Sequence, residues 1–200
     1  MSGDDLPTVD GTDLLTVLRS RRVVRDFSSD PVAEDQLWMV LEAGRWATSA
    51  SNNRVHRCLV LRDPRQIKLV ADVSPGIYSL PPVMIVICTD LRAVAAAQLR
   101  LDSDPSIWID AGTLMMNMIV ETHAIGLGTC PATSFSRSAV EAVLHLPDHA
   151  RPDVILQVGH RGTAHPARRR FATPAGRRVL DGLVYWDEYD RGYDANLARY

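Results

Sequence analysis

A cluster of arginines near the start of the chain is the first group of residues that could do chemistry. Four of them lie within seven positions, close to the expected end of a helix: Arg19, Arg21, Arg22 and Arg25. The planar guanidinium group matches the oxygens of a phosphate, and the last turn of a helix favours cations. The cluster therefore predicts a phosphate-binding site. The alternative is a solvated helix end in an arginine-rich chain, since only Lys68 among the 22 basic residues is a lysine.

Three further segments carry groups that could bind a ligand. Segment 46–53, WATSASNN, offers hydroxyl and amide side chains, and its small residues let backbone N–H groups approach a planar ligand. Segment 124–135, AIGLGTCPATSF, has two glycines that can end a helix and expose backbone amides. Segment 167–171, ARRRF, could form a second contact to the same phosphate. Taken alone, these segments are also typical of a polar loop, a glycine helix end and a solvated arginine run.

The usual signatures of side-chain catalysis are missing from the sequence. It contains no HExxH, GxSxG, P-loop or GxGxxG motif, and its six histidines show no spacing typical of metal ligands. We therefore predict no metal site and assign no catalytic side chain. A bound cofactor is then the economical source of chemistry.

The elements that must position these residues alternate between helices and strands. Apolar periodicity predicts helices over 12–22, 33–46, 64–72, 91–101, 110–128 and 136–146. Apolar runs predict strands over 57–63, 83–90 and 153–160. This order predicts an α+β (α/β-like) fold with a central sheet covered by helices on both faces.

The overall composition limits the kind of protein. A chain of 200 residues with 46% hydrophobic residues predicts one domain with a sizeable core. A net charge of −2 argues against nucleic-acid binding, and no apolar run is long enough to span a bilayer. The acidic N-terminus lacks the features of a targeting sequence, and the three cysteines form no CxxC pair. We therefore expect a cytoplasmic protein.

Three parts are expected along the chain. Residues 1–11 form a flexible N-terminus, residues 12–178 form the folded domain, and residues 179–200 form a C-terminal extension. The extension contains LVYWDEY, residues 183–189, which is too apolar to remain in water. We predict that it packs on the partner subunit of a homodimer.

The order of the motifs resembles the nitroreductase family of flavin-dependent oxidoreductases. The family's RRSxRxF is matched by RRVVRDF, residues 21–27, and its APSxxNxQPW by ATSASNNRVH, residues 47–56. Its GLG and CP after a long helix are matched within residues 126–131. The family's later motifs also follow in order: LxLP at 144–147, a strand ending at Gly159 and a basic stretch at 168–170. Each motif is weak, but the ordered set is specific and covers about residues 12–190.

The resemblance implies a nitroreductase-type fold with a central mixed sheet, an intertwined homodimer and FMN at the subunit interface. It implies ping-pong hydride transfer through flavin N5, from NAD(P)H to a quinone, nitro compound or other small conjugated acceptor. By this resemblance the FMN-binding residues are Arg21, Arg22, Arg25, Ser49, Asn52, Arg54, Leu127, Gly128, Cys130, Pro131, Arg169 and Arg170. The arginines would reach the phosphate and ribityl chain, segment 127–131 would line the ring, and segment 49–54 would approach the same flavin from the other subunit.

Several positions depart from the family motifs. Val23, Thr48, Arg54 and His56 stand where the family has serine, proline, glutamine and tryptophan. Arg54 cannot accept a hydrogen bond, so it cannot copy the acceptor role of glutamine. A cation at this position would instead favour the anionic reduced flavin.

Two other functions stay open at this point. Stretches 74–90, 126–135 and 143–160 resemble, more loosely, the catalytic subunit of cyclodipeptide oxidases. Those enzymes insert double bonds into cyclic dipeptides and need a small companion subunit. The short connection 91–108 before the long helix fits an open site for such a substrate. The departures at the motifs also fit a non-catalytic flavin-binding or scaffold protein.

Overall fold

The structure, a computed structural model, describes residues 11–163, 183–187 and 189. The chain separates into a first unit, residues 1–163, and a second unit, residues 164–200. Residues 1–10 of the expected flexible N-terminus and the expected domain boundary at residue 178 lie outside the described residues.

The described part of the first unit alternates helices and strands. Its helices are α1 (Gly11–Ser20), α2 (Glu34–Arg45), α3 (Pro64–Asp72), α4 (Leu91–Ala96), α5 (Ser106–Ala124) and α6 (Arg137–Val143). Its strands are β1 (His56–Leu61), β2 (Val83–Asp90), β3 (Gly128–Ala132) and β4 (Ala150–Gly159). A short 3₁₀ turn, Ala50–Asn52, lies between α2 and β1. The predicted α+β class is confirmed.

The four strands form one sheet in the order β1-β2-β4-β3. β1 pairs with β2, β2 with β4 and β4 with β3, and all three pairs are antiparallel. The sheet of the described residues is therefore antiparallel rather than mixed. The mixed sheet was expected from the family resemblance, whereas every pair of neighbouring strands described here runs in opposite directions.

Both faces of the sheet are covered, as the continuous apolar run of β2 predicts. Val83 and Ile85 pack in one core with residues of α2 and α5. Met84 and Val86 point to the opposite face and pack in a second core with residues of α3 and α6. Because successive strand residues face opposite sides, a strand buried on both faces must be apolar throughout.

The boundaries of α4 and α5 differ from the prediction for local backbone reasons. α4 ends at Ala96 rather than near 101, since Gln98 adopts a left-handed φ of 57° that a helix cannot continue through. α5 begins at Ser106, directly after Pro105, instead of at 110. It ends at Ala124 instead of 128, where Gly126 takes a φ of 83°.

The segment after α5 is a strand, although no strand was predicted there. Residues 128–132 pair with β4, from Gly128 opposite Gly159 to Ala132 opposite Ile155. Pro131 argues against a central strand because it lacks an N–H donor, but β3 lies at an edge of the sheet, where proline is tolerated.

The described residues of the second unit come from the aromatic extension. The rings of Tyr185 and Tyr189 stack with their centroids 4.7 Å apart. Leu183 is 63% exposed and Tyr189 is 80% exposed. The packing of this extension on a partner subunit stays a prediction.

Candidate cofactor-binding site

The arginine segment runs beside the edge strand β3. The Val24 N–H donates to the Thr129 carbonyl at 2.9 Å. The Val24 side chain packs so closely on Gly128 that a Cβ there would lie 2.5 Å from Val24 Cγ2. Gly128 is therefore the residue that lets the segment approach the strand. The contact brings two of the predicted site segments, 21–25 and 127–131, together in one chain.

The arginines of this segment have different surroundings. Arg22 donates to the carbonyls of Arg19, Ser20 and Arg21 at 2.7, 3.1 and 2.9 Å, so its guanidinium closes the end of α1. The exposed Arg25 guanidinium has no hydrogen-bond or ion-pair partner among the residues that the structure describes. Arg25 is thus the better placed of these two to bind an anion.

Segment 127–131 offers its backbone rather than its side chains. Leu127 is buried in the core, and Cys130 is buried against Val24 and Phe27. Burial raises the pKa of the Cys130 thiol, and the nearby Arg25 charge opposes that rise. The Gln157 amide donates to the Cys130 carbonyl at 3.1 Å and fixes this part of the strand. A ligand at this edge would meet the backbone of these residues and the half-buried Pro131.

The polar loop is held by a row of polar side chains on α5. The Ala50 N–H points at both carboxylate oxygens of Asp110, each 3.1 Å away. The Thr113 hydroxyl shares its proton between the Thr48 carbonyl at 3.1 Å and the Asp110 carbonyl of its own helix at 2.9 Å. The Asn117 amide donates to the Ala43 carbonyl at 3.2 Å. We call Asp110, Thr113 and Asn117 the polar row; their spacing of three and four places them on one face of the helix.

The backbone of the loop is unusual. Ser51, Asn52 and Arg54 adopt left-handed φ angles of 50°, 56° and 48°, which non-glycine residues rarely take. The Arg54 Nε donates to the Asn52 side chain at 2.7 Å, so this guanidinium is held within the loop. The Ser49 hydroxyl is buried and has no hydrogen-bond partner in the described part of the chain. An unsatisfied buried hydroxyl beside a strained backbone is typical of a site prepared for a ligand.

The two halves of the predicted site lie at opposite ends of α5 in one chain. The loop meets the helix at Asp110, whereas the end of α1 meets it through the Ser20 hydroxyl and His123 Nε2, 2.9 Å apart. At 1.5 Å per residue, the helix separates these two contacts by about 20 Å. The structure therefore brings the arginines to β3, but it does not bring the loop to the arginines within one copy.

His56, which replaces the family's tryptophan, belongs to a buried polar network. Its Nε2 lies 2.8 Å from the Ile107 carbonyl, and its Nδ1 lies 3.4 Å from the Thr89 hydroxyl. Thr89 donates to Asp153 at 2.5 Å, and Arg151 lies 3.4 Å from the other Asp153 oxygen, near enough for an ion pair but not aligned for a hydrogen bond. Burial lowers the pKa of His56, although the Ile107 carbonyl and the nearby carboxylates oppose that shift.

The remaining cysteines are structural. Cys58 and Cys88 form no disulfide. Burial raises the pKa of Cys58 to about 11 and that of Cys88 to about 12, so neither is a thiolate at neutral pH. Within the described residues, no group of three or more His, Cys, Asp or Glu side chains could hold a metal ion. No described helix combines the length and apolar character needed to cross a membrane.

The polar row was not among the predicted site residues. Asp110, Thr113 and Asn117 stand in a helix that is otherwise largely apolar, so their common spacing was the available signal. Arg169 and Arg170 lie outside the described residues.

The fold and the site together define a class of protein. A helix-covered antiparallel sheet carries at one edge a guanidinium with no partner among the described residues, and a strained polar loop lies on the long helix, which suits a phosphate-bearing organic cofactor. The sequence model of the nitroreductase family matches residues 18–81 and 77–160, and the chain belongs to that family. The family predicted from the motifs, and with it the oxidoreductase class, is confirmed.

The chain is similar along most of its length to two named relatives. The chain is 27% identical to the "NADH dehydrogenase" of Thermus thermophilus, over 90% of this chain and 98% of the relative. It is 25% identical to the "FMN reductase [NAD(P)H]" of Bacillus subtilis, over 94% of this chain and 82% of the relative.

A solved structure shows the same fold. The putative NADH dehydrogenase/NAD(P)H nitroreductase of Parabacteroides distasonis superposes with a TM-score of 0.72. That match covers 88% of this chain and 99% of the other at 19% sequence identity. The nitroreductase-type fold is therefore confirmed.

Proposed function

We propose that this protein is an FMN-dependent oxidoreductase that passes a hydride from NAD(P)H to a quinone, nitro compound or other small conjugated acceptor. The observation that carries the proposal is the Arg25 guanidinium beside β3, which has no partner in the described part of the chain and stands where the family motif places its phosphate-binding arginine. The names of the relatives, FMN reductase and NADH dehydrogenase, support the cofactor and the electron donor.

The residues present fit FMN. Arg25 offers a charge for the phosphate, segment 127–131 offers an edge backbone for the ring, and Ser49 offers a buried hydroxyl that none of the described residues pairs with. Bound FMN would supply the two-electron chemistry through its N5 atom. The protein's own contribution is to bind, orient and shield the cofactor.

A second copy of the chain would complete the site. The loop contacts α5 at Asp110 and the end of α1 contacts it at His123, about 20 Å apart along the helix. We infer that one flavin does not reach both elements within a single copy. Large apolar side chains are exposed on α1, α2 and α5: Leu14, Leu15, Trp38, Met39 and Ile109. Packing these faces against a second copy would bury them and could bring the loop of one copy to the arginines of the other. These features support the homodimer, with each FMN between its two copies.

The cofactor proposal has a direct test. The purified protein should be yellow, and FMN added to the stripped protein should lose its fluorescence on binding. Under anaerobic conditions NADH or NADPH should then bleach the flavin, and a quinone or nitroarene should restore the colour. A protein that binds no flavin contradicts the proposal.

The same experiment separates the alternative functions. Bleaching by cyclic dipeptides but not by nicotinamides would favour the cyclodipeptide oxidase hypothesis. The assay would then be repeated with a companion subunit added. A bound flavin that no donor reduces would favour a scaffold protein.

A further inference from the structure

We propose that Asp110 is a positioning residue that holds the loop 49–54 in its FMN-binding conformation. The proposal rests on the FMN-binding function proposed above. Asp110 is 93% buried, and its two oxygens converge on a single backbone N–H, that of Ala50. Ala50 is the first residue of the 3₁₀ turn, so Asp110 caps this turn from a different element.

The loop needs such an anchor because its backbone is strained. Three non-glycine residues in the left-handed region cost free energy that the loop itself cannot recover. Within the turn only two backbone hydrogen bonds close the loop, from Asn52 to Ser49 and from Asn53 to Ala50. The Asp110 contact adds a charge-assisted bond at the residue where the turn begins, which is stronger than a neutral one.

The polar row makes this anchor rigid. Thr113 fixes the carbonyl of Thr48, two residues before Ala50, and Asn117 fixes the end of α2 at Ala43. The chain is thus attached to α5 at three successive turns of the helix. Loss of Asp110 would release the loop where Ser49, Asn52 and Arg54 lie, while Thr113 and Asn117 would keep α2 in place.

The test compares flavin affinity among variants at Asp110. FMN affinity of Asp110→Ala should fall at least about tenfold, which corresponds to loss of one charge-assisted hydrogen bond. Asp110→Asn keeps a carbonyl oxygen for the Ala50 N–H and should recover most of that loss. Thr113→Val removes a half-buried hydroxyl from the same row and should weaken binding less, giving a second variant if Asp110→Ala does not fold.

A control variant and a second ligand distinguish a positioning role from a general loss of stability. Thr122→Val removes another buried hydroxyl from α5, one that bonds only within the helix to Met118, so it should lower stability without a specific loss of flavin affinity. Riboflavin lacks the phosphate, so Asp110→Ala should weaken FMN and riboflavin by the same factor, whereas Arg25→Ala should weaken FMN more. Hydrogen exchange of the apo-protein should show faster exchange in residues 47–54 of Asp110→Ala.

Three results would overturn the inference. The first is an Asp110→Ala protein that binds FMN as tightly as Thr122→Val does. The second is an Asp110→Asn variant as weak as Asp110→Ala, and the third is unchanged exchange in the loop. A wild-type protein that binds neither FMN nor riboflavin would overturn the proposed function itself. Each of the three results above can be obtained with a wild-type protein that binds FMN, so the two failures are distinguishable.

Discussion

Removal of the Arg25 side chain should separate cofactor binding from folding. The guanidinium is exposed and has no partner among the described residues, so Arg25→Ala breaks no internal contact that the structure shows. The change in unfolding free energy should stay within about 0.5 kcal/mol, as for other exposed sites. FMN binding should instead lose one charge-assisted hydrogen bond, roughly 1.5–3 kcal/mol, or about ten- to hundredfold in dissociation constant.

The assay is a fluorescence titration of FMN and of riboflavin into the stripped protein, with a urea unfolding curve for each variant. Arg62→Ala is the matched control, because Arg62 is an exposed arginine after β1, at the opposite edge of the sheet. Arg22→Ala should behave differently, since it removes three contacts to the end of α1 and should lower stability. If Arg25→Ala and Arg62→Ala bind FMN equally well, Arg25 does not hold the phosphate.

Three further predictions concern the C-terminal extension, Gly128 and His56. Deletion of residues 179–200 should give monomer or aggregate without flavin in size-exclusion chromatography; a truncated protein that stays dimeric and yellow would disprove the role of the extension. Gly128→Ala should lower the unfolding free energy by about 1–3 kcal/mol, since the new Cβ would clash with Val24; Gly112→Ala, where a Cβ meets nothing within 4 Å, is the control. Because the pKa of His56 is lowered from 6.5 by burial, the unfolded state binds more protons, so stability should fall as pH drops below 6.5 through the folded pKa. The unfolding free energy from urea curves should depend less on pH in this range for His56→Gln than for the wild type. An unchanged dependence on pH would show that His56 does not cause it.

Much of the first unit was predictable from the sequence because its signals are local. The β2 run, the proline at the start of α3 and the apolar stripe of α2 each determine an element without help from distant residues. The antiparallel order of the strands was not predictable in this way, since it depends on which strands meet after the chain has folded. β3 was missed because its proline is acceptable only at a sheet edge, and the edge is known only from the topology.

The candidate site was predicted only in part, because some of its contacts depend on which segments meet after the chain has folded. Motif order located the arginines, the loop and segment 127–131, and the structure places the first and third side by side. It does not follow from motif order that Arg22 closes the end of α1 while Arg25 has no partner among the residues that the structure describes. The role of Asp110 was hidden too, because its partner is a backbone N–H 60 residues earlier in the chain.

The position of α5 between two binding elements has a consequence for genetic complementation. In the proposed homodimer each copy of α5 holds a loop for one flavin and lies beside the arginines for the other. A copy defective in the loop and a copy defective in Arg25 would then form a heterodimer in which one site carries both defects and the other carries none. Random mixing of the two defective proteins should restore about a quarter of all sites to wild-type affinity, by the symmetry of a twofold dimer. Two inactive preparations would thus regain activity on exchange of subunits, whereas a site built within one chain could not be rescued.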